Sequence, residues 1–163
     1  MIDYDSVRQR IAAFDKKNGG DGVEINGAIY YSNGAIRDTE PLGALIDPPR
    51  DPQERCKIQL SYWQELQRRA VAEFDEVKSQ YLTNAKVGLT EAFTPALPWT
   101  EAQAVKKLTE LRDNVRELQK RVTAARAELK RNTPQEVLDR RAHFSAARQM
   151  ATAFVEAVES IKI

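Results

Sequence analysis

The chain has 163 residues, of which 42% are hydrophobic and 30% are charged, with 25 Lys and Arg against 24 Asp and Glu. A chain of this length can bury a core without a metal or disulfides, and its net charge of +1 favours neither a nucleic acid nor an acidic partner. The single cysteine excludes an intrachain disulfide, and no apolar run approaches the roughly 18 residues of a membrane span. We therefore expect a cytoplasmic protein without a membrane contact or a secretory signal.

Residues 1–50 are predicted to form a small α+β head. Its short helix is indicated by apolar residues at spacings of three and four: Tyr4, Val7, Ile11 and Phe14. Either Asp3 or Ser6 is expected to cap the start of this helix, and Asn18-Gly19-Gly20 its end, because Asn and Gly tolerate the left-handed conformation of a helix C-cap.

The β signal of the head lies in residues 22–37. Asn26-Gly27 separates two runs of β-prone residues and is favoured in two-residue type I′ hairpins. A second turn at residues 32–34 precedes a third run, so a three-strand meander is predicted. So small a sheet is expected to pack against helix, because it is not stable alone. Residues 39–49, with their Pro and Gly, are predicted to be loop.

Residues 51–163 are predicted to form three long helices. Asp51-Pro52 provides the cap and first residue of the first helix. Its apolar seam alternates spacings of four and three: Cys56, Leu60, Trp63, Gln67, Ala70, Phe74, Val77 and Tyr81. A second stripe on its early turns is expected to face the head: Ile58, Tyr62 and Leu66. Residues 84–98 contain Gly88, Pro95 and Pro98, and are predicted to be a connector.

The second and third helices also carry apolar stripes. Thr100-Glu101-Ala102-Gln103 is a capping box that opens the second helix. Its heptad seam is Leu108, Leu111, Val115, Leu118, Val122, Ala125 and Leu129. The third helix follows a turn at residues 132–134, and its stripe is Val137, Arg140, Phe144, Ala147, Ala151, Phe154, Val158 and Ile161.

The predicted fold is therefore mostly α. An antiparallel three-helix, coiled-coil-like bundle over residues 51–163 carries the α+β head of residues 1–50, which consists of the short helix and the β-meander. A short connection places consecutive helices side by side, which favours a hairpin over residues 100–161. The alternative is that residues 100–161 form one kinked rod, since a proline can bend a helix without ending it.

Catalytic and metal-binding patterns are scarce in the sequence. Asp139 stands four residues before His143 and could orient it as a general base, although a surface histidine is the simpler interpretation. Cys56 falls on a seam and is expected to be a core thiol. One Cys and one His do not supply the four N or S ligands of a structural zinc site. Because Gly-rich phosphate loops and nucleophile motifs are also missing from the sequence, we expect no enzyme, catalytic residue, metal, cofactor or small-molecule substrate.

Two sets of residues are predicted as contact surfaces. Apolar residues outside the seams are proposed to touch a protein partner: Tyr30, Tyr31, Ile58, Tyr62 and Leu66. Residues 98–163 hold 13 basic and 9 acidic side chains, a balance of +4, and four of the basic residues could bind phosphate around the 132–134 turn: Lys130, Arg131, Arg140 and Arg141.

The charge pattern favours a protein-contact function over a phosphate-binding one. The basic residues of the second long helix encircle its exposed surface, whereas phosphate binding needs them gathered on one face. The leading prediction is therefore a non-enzymatic structural, adaptor or assembly protein that acts through helical protein–protein contacts, including self-association. A nucleic-acid-associated accessory protein that uses the basic last third is the alternative.

Overall fold

A computed structural model of the chain describes residues 3–40, 42–90 and 99–160. These residues are mostly helical, with a small antiparallel sheet near the N-terminus. The elements in chain order are α1 (Tyr4–Lys17), β1 (Val23–Ile25), β2 (Ala28–Tyr30), β3 (Ile36–Asp38), β4 (Leu45–Ile46), α2 (Pro52–Thr90), α3 (Glu101–Arg131) and α4 (Gln135–Glu159). The chain divides near the end of α3 into two units, Met1–Leu129 and Lys130–Ile163.

Local side-chain chemistry fixes both ends of α1. The Asp3 carboxylate accepts from the backbone N–H groups of Asp5 and Ser6 at 3.1 and 3.3 Å. Of the two predicted candidates, Asp3 and not Ser6 is therefore the N-cap of α1. At the other end Asn18 is the C-cap, and its side-chain amide donates to the Phe14 carbonyl at 2.9 Å. The predicted limits of this helix are confirmed.

The sheet is an antiparallel meander in the order β1-β2-β3-β4. Asn26 and Gly27 have φ angles of 50° and 82°, the left-handed pair that a type I′ turn requires. The prediction of three strands is incomplete, because Leu45 and Ile46 pair with β3 inside the segment predicted to be loop. The Asp38 carboxylate supports this return by accepting from the Ala44 N–H at 2.8 Å.

The core of the head lies between α1 and the sheet. Phe14, Tyr31 and Ala35 are buried together, and Ile29 and Leu45 pack against them. The rings of Phe14 and Tyr31 meet edge to face, with centroids 5.7 Å apart. The small sheet is therefore covered by helix, as a sheet of this size requires.

The first half of α2 packs on β1 and β2. Gln59 Nε2 donates to the Ser32 carbonyl at 2.9 Å, and Arg69 Nη2 donates to the Glu24 carbonyl at 2.7 Å. A Cβ on Gly34 would lie 2.8 Å from Arg55 Cγ, so the turn before β3 needs a glycine for this close approach. The expected contact between the early turns of α2 and the head is confirmed.

Helices α2 and α3 form an antiparallel pair. Contacts between the two helical segments join Trp63 to Arg121, Gln67 to Gln119, and Tyr81 to Trp99, which precedes α3. Residue numbers in these contacts rise along α2 and fall along α3, which defines the antiparallel direction. The predicted seam of α3 faces inward, since its buried residues include Leu111, Val122 and Ala125.

The ends of these helices test the remaining sequence predictions. The Thr100 hydroxyl accepts from the Gln103 N–H at 3.2 Å and the Gln103 side chain accepts from the Thr100 N–H at 2.8 Å, which confirms the capping box. By contrast, α2 continues to Thr90, so the prediction of a connector from residue 84 begins too early. Residues 91–98 of that connector lie outside the described residues.

Helix α4 begins after the turn at residues 132–134 and contains no buried residue. From Arg140 to Val158 its predicted apolar stripe is exposed, with 67% of Phe144, 70% of Phe154 and 50% of Val158 accessible, while Val137 is half-buried. Ile161, the last residue of that predicted stripe, lies outside the described residues. The periodicity of α4 thus forms an apolar face whose large side chains are exposed.

Candidate interaction surfaces

The predicted protein-contact residues lie on the head and on the part of α2 that packs against it. Tyr31 is only 1% exposed and belongs to the head core, so this residue is not accessible to a partner. The other four are half-buried: Tyr30, Ile58, Tyr62 and Leu66. Burial, followed by the nearby Asp21 carboxylate, raises the pKa of Tyr62. Because these four residues are half-buried, their patch exposes only parts of its apolar side chains to solvent.

A polar cluster of Asp15, Tyr31 and Arg37 holds α1 against the sheet. The Tyr31 hydroxyl donates to Asp15 Oδ1, and Arg37 Nε donates to that oxygen and to the Tyr31 hydroxyl, each at 2.9 Å. Burial, and then the hydrogen bond to Asp15, raises the pKa of Tyr31 to about 12. Every member of the cluster thus has a partner within it, which gives it a structural role.

A second charged cluster borders an open cleft between the β1–β2 turn and α2. Glu65 accepts from Arg68 at 2.7 Å and from Arg69 at 2.9 Å, and these hydrogen bonds lower the pKa of Glu65 to about 2. The cleft is also lined by Glu24. Because two carboxylates balance the two guanidinium groups there, the cleft does not select an anion by net charge.

The two residues considered for catalysis occupy unremarkable positions. Cys56 is buried on α2, as its seam position predicted. His143 is exposed on α4 with its ring 6.4 Å from that of Phe144, while Asp139 accepts from Gln135 Nε2 at 2.7 Å. Among the described residues, no group of His, Cys, Asp and Glu side chains has the arrangement of a metal site.

Some basic residues of the last third have acidic partners, whereas others, including Lys106, Lys107, Arg126 and Arg148, form no ion pair with the described residues. The residues with acidic partners lie in the middle of α3: Arg112 and Arg116 pair with Asp113, and Lys120 and Arg121 with Glu117. The four residues predicted to bind phosphate are exposed: Lys130, Arg131, Arg140 and Arg141. Within the described residues no ion pair is formed by these four, so their charge is not neutralised by close acidic side chains.

The apolar face of α4 is the largest set of accessible hydrophobic side chains on any one described helix. Its exposed large members are Phe144, Met150, Phe154, Val155 and Val158. At 3.6 residues per turn these five positions fall within about 140° of arc, which is the width of a packing face on an amphipathic helix. These large apolar side chains of α4 are thus exposed together on one face of the helix.

Comparison with known proteins gives no family assignment. No protein-family model, curated protein or solved structure is significantly similar to the chain. In the part of the chain that the structure describes, helices that are long and apolar enough to cross a membrane are also missing. The surfaces themselves must therefore support any functional argument.

Proposed function

We propose that this chain is a non-enzymatic structural, adaptor or assembly protein that acts through the apolar face of α4. The observation that carries the proposal is the exposure of Phe144 and Phe154, at 67% and 70%, on one face of a 25-residue helix. Leaving such side chains in water forfeits roughly 1.5–3 kcal/mol each relative to full burial. Covering them with another helix recovers that free energy.

The three-helix, coiled-coil-like bundle predicted for residues 51–163 would also cover the apolar face of α4, but with helices of the same chain. In that arrangement the face of α4 packs on α2 and α3 of its own chain. Protein–protein contacts then use other surfaces, such as the half-buried patch around Tyr30 and Tyr62. The two arrangements differ in whether Phe144 is covered by its own chain or by another molecule.

A photo-crosslinking experiment tests the proposal. A photoreactive phenylalanine analogue is placed at position 144 in the cells that naturally make the chain, and at position 149 in a matched control. Gln149 is exposed on the opposite side of α4. We expect crosslinks from position 144 to a second protein molecule and few from position 149. Equal yields at both positions, or crosslinks confined to the same chain, contradict the proposal.

The second candidate is nucleic-acid binding through the unpaired basic group at the end of α3 and the start of α4. What supports it is that these four exposed side chains flank one turn and form no ion pair with the described residues, unlike the basic residues in the middle of α3. Because each phosphate contact releases a counterion, four contacts should give a salt slope of about −3.6 on a log–log plot.

Charge-neutral variants test this second candidate. Lys130, Arg131, Arg140 and Arg141 are replaced together by Gln, and the control replaces Lys106, Lys107, Arg112 and Arg116 by Gln. Affinity for a generic duplex is measured at several salt concentrations. Nucleic-acid binding requires that the first variant loses affinity and slope while the control keeps both. Equal losses in the two variants exclude a specific role for the basic group.

A further inference from the structure

The central part of the apolar stripe of α4 has the same order of side-chain sizes in both directions. From Arg140 to Val158 the spacings are four, three, four, three and four, and the successive residues are Arg140, Phe144, Ala147, Ala151, Phe154 and Val158. In a heptad, Phe144 and Ala151 take a positions, and Ala147 and Phe154 take d positions. The central part of the stripe therefore reads Phe, Ala, Ala, Phe from either end, whereas its outer members, Arg140 and Val158, differ in size and charge.

This symmetry suits an antiparallel pair of identical helices, in which an a residue of one copy shares a layer with a d residue of the other. With the centre near Gln149, Phe144 shares a layer with Phe154 of the second copy, and Ala147 shares one with Ala151. Two small central layers let the helices approach closely, and two aromatic layers flank them. Arg140 then shares a layer with Val158.

Charge favours the same direction of pairing. Residues 135–148 hold three basic and two acidic side chains, whereas residues 149–159 hold two acidic and no basic ones. Antiparallel pairing lays the basic half of one copy along the acidic half of the other, an attraction over a distance because Glu156 and Glu159 take outer f and b positions. Parallel pairing in register instead places Arg140 against itself at a core position, where like charges oppose association.

The area available is sufficient for a dimer of modest affinity. The five exposed large apolar side chains of α4 offer on the order of 500 Å² per copy, given that a fully buried aromatic residue covers about 150–250 Å². The stems of Arg140 and Arg141 add to this. A specific interface buries about 800 Å² per partner, so we expect dissociation in the micromolar range.

From these observations we infer that the occupant of the α4 apolar face is α4 of a second copy of this chain, packed in the antiparallel direction about Gln149. This inference rests on the proposed function and names its partner. Arg148 takes an e position near the two-fold axis, so the Arg148 side chains of the two copies approach each other and extend into water at the edge of the interface.

Disulfide trapping tests both the partner and the direction. Ala147→Cys is introduced into one chain and Ala151→Cys into a second chain that carries a mass tag, and the two are mixed and oxidised. The antiparallel pair predicts mixed disulfides between tagged and untagged chains. Like positions are offset by about 6 Å along the axis in that arrangement, beyond the usual reach of a disulfide. The wild-type chain reports any contribution from the buried Cys56.

Solution mass and stability of a second variant pair complete the test. Phe144→Asp with Phe154→Asp should raise the dissociation constant at least a hundredfold, measured by light scattering. Ala142→Asp with Gln149→Asp, on the opposite side of α4, should leave it within about threefold. Disulfides between like positions overturn the antiparallel inference. A wild-type monomer at high micromolar concentration overturns the inference of a second copy.

The failure of this inference is distinguishable from failure of the proposed function. If the wild type is monomeric and position 144 crosslinks to a different protein, the second copy is excluded while the proposed function stands. If the wild type is monomeric and the Phe144 and Phe154 substitutions strongly lower its melting temperature, the face is covered within the chain and both fall.

Discussion

The Tyr31→Phe substitution tests how the head is held together. It removes the hydroxyl that donates to Asp15 and accepts from Arg37 Nε at 2.9 Å, while the ring keeps its contact with Phe14. Asp15 and Arg37 remain paired at 2.9 Å, so neither charge is left alone. Because hydrogen bonds to charged groups contribute about 1.5–3 kcal/mol, we expect the free energy of unfolding at neutral pH to fall by about 2 kcal/mol.

The same hydroxyl predicts a pH dependence with a definite sign. Burial, and then the hydrogen bond to Asp15, raises the pKa of Tyr31 to about 12, against about 10 in the unfolded chain. The folded state thus holds this proton more tightly than the unfolded state. Its contribution to stability is complete below about pH 10 and is lost as the pH rises through about 12, a change of roughly 2–3 kcal/mol.

Urea unfolding followed by circular dichroism, from neutral pH to about pH 12, measures both effects. Tyr30→Phe is the matched control, because Tyr30 is half-buried on the same sheet and its hydroxyl has no hydrogen bond to the described residues. The stability difference between wild type and Tyr31→Phe should narrow with rising pH, and the variant should lose the tyrosinate absorbance that develops near pH 12. An unchanged difference across this range, or equal losses in the two variants, refutes the role assigned to the cluster.

Three further predictions concern other parts of the fold. Val122→Asp places a carboxylate at a fully buried position between α2 and α3 and should lower the free energy of unfolding by several kcal/mol. Ala124→Asp, at an exposed position of the same helix, should lower it by under about 1 kcal/mol. Similar urea midpoints for the two variants would contradict the assigned seam. Gly27→Ala adds a Cβ at a φ of 82° with open space around it. Only the backbone strain of the left-handed conformation should therefore lower the free energy of unfolding, by about 1–2 kcal/mol. An unchanged urea midpoint would argue against the type I′ turn. At pH values above the usual carboxyl pKa, Glu65→Gln should slightly lower the melting temperature. This difference from wild type should disappear as the pH falls through about 2, the pKa of Glu65 in the folded chain. A difference that persists at that pH would show that the ion pairs with Arg68 and Arg69 are not its source.

Sequence reasoning succeeded where the determining interaction is local. Asp3 and Thr100 cap helices through backbone groups two or three residues away, and Asn26-Gly27 defines its own turn. A seam such as that of α3 is also readable, because a spacing of three and four places its residues on one face. These features depend on neighbours in the chain, which the sequence displays directly.

The features missed by sequence reasoning depend on contacts between distant residues. β4 has only two residues, and it is a strand because Leu45 and Ile46 pair with β3. The charged cluster of the head joins positions 15, 31 and 37, which meet only after α1 lies on the sheet. The prediction of Tyr31 as a partner contact is wrong for this reason, since an aromatic residue that precedes a tight turn can equally face the core.

Helix α4 shows the same difference between local and distant contacts. Its stripe could be read from the sequence, but a stripe states which side chains share a face and not what covers them. Arg140 connects the two proposed functions, because it belongs both to the stripe and to the unpaired basic group. Binding phosphate through Arg140 leaves Phe144 and Phe154 in water, whereas antiparallel pairing covers both rings and sets Arg140 beside the acidic half of a second helix. Pairing therefore covers the exposed apolar side chains of α4, which phosphate binding does not, and for this reason we place protein–protein contact ahead of nucleic-acid binding.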